Sequence, residues 1–461
     1  MTLSENFRME RDSLGTIKVP KYAYYGAQTQ RAVENFQISS KRMPRSIIRA
    51  QGIVKASAAK TNMDLELLPK SIGSAIMQAA EEVIHGKWDD HFVVDVYQAG
   101  AGTSQNMNAN EVIANRATEL IDPSLGYGRI HPNDHVNKNQ STNDTFHASM
   151  QIAAIEKIND KLLPALEDLY QEFDKKSIEF MAIEKTGRTH LHDAVPMRLG
   201  QEFAGYANTI RSVTNQLKLS ADKLYEIGLG GNAIGTKVNS HPDYPTLVIQ
   251  EVNRMTKLPF RQPENIFEFM QNTGAPIRVM TTMKELSIHL IKITSDLRLL
   301  ASGPRTGLAE ITLPSVQPGS TIMPGKVNPA ILEMTHMVCL QVIGYEAAIA
   351  NAGTASQLEI NVMMPLIAHT MMESIEIMYN AVSTLTTKCI SGIQGNEEIC
   401  KHWMNSSLAL VTAMSPIMGY DRASQIGKEA DEKNITVKEV LKQKGLLTPE
   451  IEKAMEPKGL I

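Results

Sequence analysis

The stretch VMTTMKELSIHLIKITSDLRLL, residues 279–300, carries the clearest structural pattern in the chain. Its apolar residues recur at alternating spacings of four and three, which keeps one apolar face on an α-helix for about six turns. These residues are Val279, Met283, Leu286, Leu290, Ile293, Leu297 and Leu300. The pattern predicts a long helix that buries one face against its neighbours.

Further long stretches repeat this spacing, and they are 152–173, 199–224, 331–349 and 367–389. Five long helices separated by short breaks are typical of a helical bundle. No run of β-type alternation of comparable length occurs, so we expect an all-α protein with a central long-helix bundle. The three expected regions are an N-terminal domain at 1–140, the bundle at 141–395 and a small C-terminal domain at 396–461.

The composition is that of a globular protein, since 43% of the 461 residues are hydrophobic and 21% are charged. The formal net charge of −4 offers no attraction for nucleic acid or for an anionic membrane. The longest uncharged run, 402–420, is interrupted by polar residues and a proline, and it does not predict a membrane span. We therefore expect no nucleic-acid or membrane partner.

The beginning of the chain lacks the apolar core of a signal peptide. The cysteines Cys339, Cys389 and Cys400 fit no CxxC pattern and are too few to ligate an iron–sulfur cluster. Free thiols are typical of a reducing compartment, so we expect a cytoplasmic protein.

The segment GSTIMPGKVNP, residues 319–329, carries the strongest indication of chemistry. Its glycines and prolines predict a loop, and Asn328-Pro329 forms a good cap for a following helix. Ser320, Lys326 and the positive end of that helix could together bind a carboxylate. The alternative from the residues alone is a mobile loop that ends in a helix cap, with Lys326 solvated.

Three other segments accompany this loop: GAGTSQNMN at 100–108, HPNDHVNKNQSTND at 131–144 and GRTH at 187–190. The four segments, in this order, resemble the aspartase/fumarase superfamily, and the resemblance extends from residue 24 to 421. It implies an L-aspartase-like three-domain subunit and a homotetramer whose active sites are shared between subunits. It also implies a lyase that acts on a small dicarboxylate without a cofactor.

The chemistry of that family explains these residue types. Removing a proton from carbon next to a carboxylate creates a doubly charged aci-carboxylate, which fixed hydrogen-bond donors must stabilise. A base must reach the proton from a loop that can close over the substrate. By the resemblance, Ser320 is this base, and Lys326 and Asn328 bind one carboxylate. The residues implied to bind the other carboxylate are Thr103, Ser141, Thr142 and Thr321.

The resemblance also implies residues around the leaving group. Asn143 and His190 resemble residues that contact the amino or hydroxyl group being lost, with Thr189 beside them. Glu333 matches the acid that holds the histidine. His190 and His192 could suggest a metal pair, but no third ligand has a fitting spacing, so we expect no metal.

Each of these residues also has a purely structural interpretation. Residues 141–144 could cap the first bundle helix, a role that is compatible with binding. The Thr103 hydroxyl could bond its own backbone, and Glu333 would favour the start of its helix through the dipole alone. Two positions depart from the family pattern: Thr321 keeps the hydroxyl of the usual second serine, whereas His147 stands where proline is common.

The choice of substrate depends on small differences. Ala101 and Ser104 take the form common in aspartases, as does Thr142, and fumarases usually have tryptophan where Leu299 stands. Residues 26–31 and 419–421 instead resemble fumarases. Residues near the substrate should matter more, so elimination of ammonia from L-aspartate is favoured, with hydration of fumarate to L-malate as the alternative. A non-catalytic member is disfavoured because the base and its partners are intact.

Overall fold

The computed structural model describes residues 6–125 and 127–455, and α-helices dominate them. The helices are α1 (Ala27–Asn35), α2 (Arg45–Asp64), α3 (Lys70–Ile84), α4 (Thr103–Ile121), α5 (Thr142–Lys157), α6 (Leu163–Glu179), α7 (Leu199–Ala221), α8 (Tyr244–Thr256), α9 (Ile266–Gln271), α10 (Gly274–Leu300), α11 (Ala330–Gly353), α12 (Met364–Lys388), α13 (Glu397–Ser406), α14 (Leu410–Met418), α15 (Tyr420–Glu432), α16 (Val437–Gln443) and α17 (Pro449–Met455). The predicted all-α fold is confirmed. None of the described helices is long and apolar enough to cross a membrane.

The strands of the described chain are short and form antiparallel pairs. They are β1 (Phe7–Asp12) with β2 (Gly15–Pro20), β3 (Glu184–Thr189) with β4 (His192–Arg198), β5 (Ile311–Thr312) with β8 (Gln394–Gly395), and β6 (Ser356–Gln357) with β7 (Ile360–Asn361). The β3–β4 hairpin matters most here because it carries candidate site residues at its turn.

The predicted long helices are present as α7, α10, α11 and α12, with α5 and α6 covering the fifth stretch. All seven apolar residues of the 279–300 pattern are at most 5% exposed, as one buried face requires. The 152–173 stretch is not one helix, because a π-helical segment at Ile158–Leu162 separates α5 from α6. Pro164 explains the break, since it has no N–H to donate to the carbonyl of Asp160.

The described chain divides into two compact units, each assembled from three stretches. Unit one comprises residues up to Leu162, Gln216–Lys284 and Gln341–Ile377. Unit two comprises Leu163–Asn215, Glu285–Leu340 and residues from Met378 onward. The division into regions 1–140, 141–395 and 396–461 stays a prediction.

Within unit one, α2 is the most deeply embedded helix, with 14 of its 20 residues buried. Its alanine, glycine and serine side chains allow neighbours to approach from several sides. At Gly52 a β-carbon would lie 3.1 Å from the carbonyl oxygen of Ala80 on α3, so the two helices touch almost backbone to backbone. This packing is part of the framework of unit one, which also carries the candidate residues Thr103 and 141–143.

Unit two contains the short C-terminal helices α13–α17. Leu410, Met414, Ile426, Val440 and Leu441 form the buried centre of this part. The cysteines of the chain are all buried free thiols, and burial raises the pKa of each to about 12.

Candidate active site

The start of α4 is packed directly on α5 in unit one. Gly102, which precedes α4, has φ 88°, and a β-carbon there would lie 2.3 Å from the ring of Phe146 on α5. Glycine is therefore required for both the backbone angle and the close approach. The contact holds the exposed Thr103, the first residue of α4, near the beginning of α5.

The beginning of α5 is capped by its own side chains. Ser141 Oγ accepts the N–H of Asn143 at 3.3 Å, and Asp144 accepts the N–H of Ser141 at 2.9 Å, which together form a capping box. The structural role proposed for this segment is thus present. Ser141, Thr142 and Asn143 nevertheless remain half-buried, so capping leaves them accessible to a ligand.

The hydroxyl of Thr142 is oriented by Asn106 on α4. Asn106 Nδ2 donates to Thr142 Oγ1 at 3.0 Å and to Asn137 Oδ1 at 3.2 Å, and these two acceptors fix the direction of the amide. Because Thr142 Oγ1 accepts this bond, its proton is free to be donated to a ligand. Two adjacent helix N-termini and an outward hydroxyl proton suit a carboxylate.

A buried lysine lies beneath these residues. Lys55 on α2 is 0% exposed and donates to Asn137 Oδ1 at 2.9 Å. Asn137 Oδ1 also accepts from Asn106 at 3.2 Å and from Asn110 at 3.1 Å. Burial lowers the pKa of Lys55 to about 7, and the charge of Asp144 opposes that shift. When protonated, Lys55 supplies positive potential below a bound carboxylate.

Asn143 is fixed by the loop at 228–235. Its Nδ2 donates to the carbonyl of Ala233 at 2.7 Å, which directs the side-chain carbonyl elsewhere. The loop is held by Asp144, whose Oδ2 accepts the N–H groups of Gly230 at 3.1 Å and Asn232 at 2.9 Å. Burial raises the pKa of Asp144 to about 7, against the effect of these N–H groups.

Ser320 lies in an exposed loop of unit two, where backbone donors surround its oxygen. Ser320 Oγ accepts the N–H of Ile322 at 3.3 Å and of Met323 at 3.0 Å. Such donors stabilise an alkoxide more than a hydroxyl, and so favour the base form. The loop lines an open cavity of about 490 Å³ together with the exposed side chain of Lys326.

The same loop is closed at its base by Asn328. Gly319 donates its N–H to the carbonyl of Lys326 at 2.7 Å, and Asn328 Nδ2 donates to the carbonyl of Gly319 at 2.7 Å. A β-carbon at 319 would lie 2.6 Å from the backbone nitrogen of Asn328, so glycine is needed there. Thr321 and Lys326 are exposed and Asn328 is half-buried.

His190 and Leu191 form the two-residue turn between β3 and β4, with φ 56° and 60°. Positive φ at both positions defines a type I′ hairpin, which non-glycine residues adopt at a cost of about 1 kcal/mol each. Thr189 pairs with His192 at the end of the hairpin, and Thr189 and His190 are exposed. The strained turn presents the His190 imidazole to solvent.

The β3–β4 hairpin is anchored by Glu310, which is fully buried. Glu310 accepts from Arg188 Nη1 at 2.8 Å, and its other oxygen lies 2.8 Å from Lys185 Nζ. Lys185 also donates to Glu202 at 2.7 Å. Because Glu310 directly precedes β5 and the segment leading to the Ser320 loop, it ties the hairpin to that segment.

Glu333 lies in the first turn of α11, where it favours the helix dipole. One of its oxygens is 3.9 Å from Arg298 Nη2 on α10. Its expected contact with His190 stays a prediction.

The structure therefore sorts the candidate residues into two sets. Unit one contains Thr103, Ser141, Thr142 and Asn143, and unit two contains Thr189, His190, Ser320, Thr321, Lys326, Asn328 and Glu333. Asn106, Lys55 and Glu310 were not among the sequence candidates. A lysine within the alanine-rich stretch 50–59 was the available signal for Lys55, and for Asn106 the signal was its place in the 100–108 segment. Glu310 is recognised here from its contacts.

The long-helix fold and the family matches together define the chain as an all-α lyase. The chain belongs to the aspartase/fumarase superfamily: the family described as Lyase matches residues 15–344, and that described as Fumarase C C-terminus matches residues 410–461.

Relatives with two activities match almost the whole chain. An aspartate ammonia-lyase from a Bacillus species is 44% identical over 449 residues, covering 97% of this chain and 96% of the relative. A class II fumarate hydratase from Bradyrhizobium diazoefficiens is 46% identical over 455 residues, covering 98% and 96%. The family is thus established, and the two activities occur at similar identity.

Solved structures agree with this assignment. The structure of fumarate lyase:delta crystallin from Brucella melitensis bound to cobalt has a TM-score of 0.93 and 42% identity, covering 97% of this chain and 98% of that chain. The class II fumarase from Schistosoma mansoni has a TM-score of 0.94 and 34% identity, covering 98% of both.

Proposed function

We propose that this chain is an aspartate ammonia-lyase, which reversibly eliminates ammonia from L-aspartate to give fumarate. The observation that carries the elimination chemistry is the environment of Ser320, whose Oγ accepts two backbone N–H groups on an exposed loop. A carbon acid next to a carboxylate needs a strong base, and donors that stabilise the alkoxide favour the base form of Ser320.

The proposed mechanism gives each set of residues one task. Ser320 removes the proton from the carbon next to one carboxylate. The negative charge that this leaves is delocalised into that carboxylate, which becomes an aci-carboxylate. Thr103, Ser141, Thr142 and Thr321 donate to that carboxylate. The orientation of the Thr142 hydroxyl by Asn106 and the charge of Lys55 support this step.

The remaining groups hold the other end of the substrate. Lys326 and Asn328 bind the second carboxylate, and Asn143, Thr189 and His190 surround the departing nitrogen. Glu333 is proposed to orient His190. The acceptor assigned to the departing amine is the Asn143 side-chain carbonyl, which the bond from Nδ2 to Ala233 leaves free to accept N–H groups.

The preference for aspartate over malate depends on residues beside Thr103. Ala101 is buried, with φ 58°, and its N–H donates to the carbonyl of Val362 at 3.1 Å. An alanine there offers no hydroxyl to organise the water that hydration requires. Ser104, also buried, takes the form common in aspartases.

Hydration of fumarate to L-malate is the second candidate. It is favoured by the fumarase C match at residues 410–461 and by the 46% identical class II fumarate hydratase. Purified protein incubated with fumarate and ammonium should form aspartate. If malate forms at a comparable or higher rate without ammonium, fumarate hydratase is the better assignment.

We further propose a cytoplasmic homotetramer with active sites shared between subunits. Apolar residues of α12 outside its 3/4 pattern contribute little to a surface for this assembly, because Met364 and Met372 are already buried within the chain. Better support comes from α10 and α11, whose exposed large apolar residues need a covering surface. These residues are Ile288, Leu299, Met337 and Leu340.

A further inference from the structure

A small cavity of about 50 Å³ lies in unit one beside the first half of α5. His147 and Gln151, one helical turn apart on α5, line it together with Phe269 of α9 and Thr273, which directly precedes α10. This volume can accommodate a few molecules the size of water. None of these residues belongs to the candidate active site.

Three residues that line this cavity each carry one buried polar atom with no hydrogen-bond partner among the described residues. These atoms are His147 Nε2, Gln151 Oε1 and Thr273 Oγ1. Their side chains belong to residues that are 2%, 3% and 4% exposed, respectively. An unpaired buried polar group is unfavourable, so three such groups around one cavity are expected to be satisfied by a ligand.

The protonation of His147 determines what the cavity can bind. His147 Nδ1 lies 3.1 Å from the carbonyl oxygen of Asn143, which can only accept, so Nδ1 carries the proton. Nε2 is then a bare acceptor, as is Gln151 Oε1, and the Thr273 hydroxyl can also accept. Burial lowers the pKa of His147 to about 4, which keeps the ring neutral near pH 7.

The cavity therefore selects a small ligand that carries several hydrogen-bond donors. Alkali and alkaline-earth ions prefer oxygen ligands, which an imidazole nitrogen does not supply. No three histidine, cysteine, aspartate or glutamate side chains gather to hold a metal anywhere in the described chain. The lining also includes the carboxylates of Glu226 and Glu268 and the cations of Lys223 and Arg278, and Lys223 Nζ lies 2.7 Å from Glu226 Oε1.

We propose that this cavity is a binding site for an ammonium ion, held by His147 Nε2, Gln151 Oε1 and Thr273 Oγ1. Ammonium supplies one N–H donor to each acceptor, and its charge is favoured by the three acceptor dipoles. The ion would lie one imidazole ring from the backbone carbonyl of Asn143. A role for this ion in turnover rests on the proposed ammonia-lyase activity, whereas the binding of the ion rests on the cavity alone.

The binding test uses the intact protein without substrate. Thermal midpoints are measured in ammonium chloride, sodium chloride, potassium chloride and tetramethylammonium chloride at matched ionic strength. Ammonium alone should raise the midpoint in a saturable way, as a ligand specific for the folded state does. Equal effects of all four salts would mean that the cavity holds water only and would overturn the proposal.

Two substitutions locate the effect. Thr273→Val and Gln151→Leu should each weaken apparent ammonium affinity about threefold to tenfold, the loss of one hydrogen bond. Thr214→Val is the matched control, because Thr214 is equally buried but bonds only its own helix through the Ile210 carbonyl. Ammonium bound at the candidate active site would stabilise all variants alike, and that result would also overturn the proposal.

Failure of this site and failure of the proposed activity give different results. The ammonium site is supported and the ammonia-lyase activity is refuted if the protein makes malate and no aspartate but is stabilised specifically by ammonium, with that stabilisation lost in Thr273→Val. The activity is supported and the ammonium site is refuted if the protein deaminates aspartate but is not stabilised specifically by ammonium.

Discussion

At the scale of single residues, substitution of Ser320 should change the catalytic rate without changing the stability of the fold. Its side chain is half-buried on a loop, so Ser320→Ala should leave the thermal midpoint nearly unchanged. Loss of an essential base should lower kcat by at least about 10²-fold. Steady-state assays and thermal melts measure the two effects, with Ser315→Ala as the control on the same loop. Near-native turnover would exclude Ser320 as the base.

The second prediction concerns His147 and the dependence of the free energy of unfolding on pH. Its pKa is lowered by burial from 6.5 to about 4, so between these values the unfolded chain binds the proton and the folded chain does not. Stability must therefore fall as pH drops from about 6.5 to 4, by on the order of 3 kcal/mol from this residue.

His147→Gln should flatten that part of the profile. The free energy of unfolding is measured by denaturant titration at several pH values, and replacement of the exposed His402 by glutamine is the control. An unchanged slope in the His147 variant would contradict the proposed neutral, buried state of the ring.

At the scale of elements, periodicity predicted the long helices because each buries one face and exposes the other. Helix α2 gave no such pattern, since 14 of its 20 residues are buried and small side chains occupy several faces. The capped start of α5 could be anticipated from Ser141 and Asp144. The bond between Asn106 and Thr142 could not, because 36 residues separate them and only the packing of α4 on α5 joins them.

Asn106→Ala tests whether that bond matters to function. Without the Asn106 amide, the Thr142 hydroxyl loses its fixed direction, and the apparent affinity for substrate should fall about threefold to tenfold. The readout is the KM for L-aspartate compared with kcat and with the thermal midpoint.

The matched control is Asn115→Ala on the same helix, where Asn115 Nδ2 donates to the carbonyl of Tyr24 at 2.7 Å. A purely structural role for Asn106 would lower stability in both variants and leave KM unchanged in both.

At the scale of the whole molecule, the family could be predicted from four short motifs, whereas the substrate could not. Both eliminations use a base beside one carboxylate and donors for two carboxylates, so most of the site is common to aspartase and fumarase. Relatives of both activities are accordingly 44% and 46% identical to this chain. The organisation into two units of three stretches each could not be predicted from the sequence either, because it depends on contacts between segments far apart in the chain.

The last prediction concerns assembly and follows from the separation of Ser320 from His190 along the chain. If these side chains meet only across subunits, Ser320→Ala and His190→Ala homotetramers are each inactive. Mixed tetramers contain sites with both side chains intact, at about a quarter of all sites for equal mixing, since each side chain is intact in half of the subunits. The two variants are dissociated, mixed and reassembled, and assembly is followed by light scattering. Separately reassembled variants are the control, and an inactive mixture of confirmed tetramers would refute the shared site.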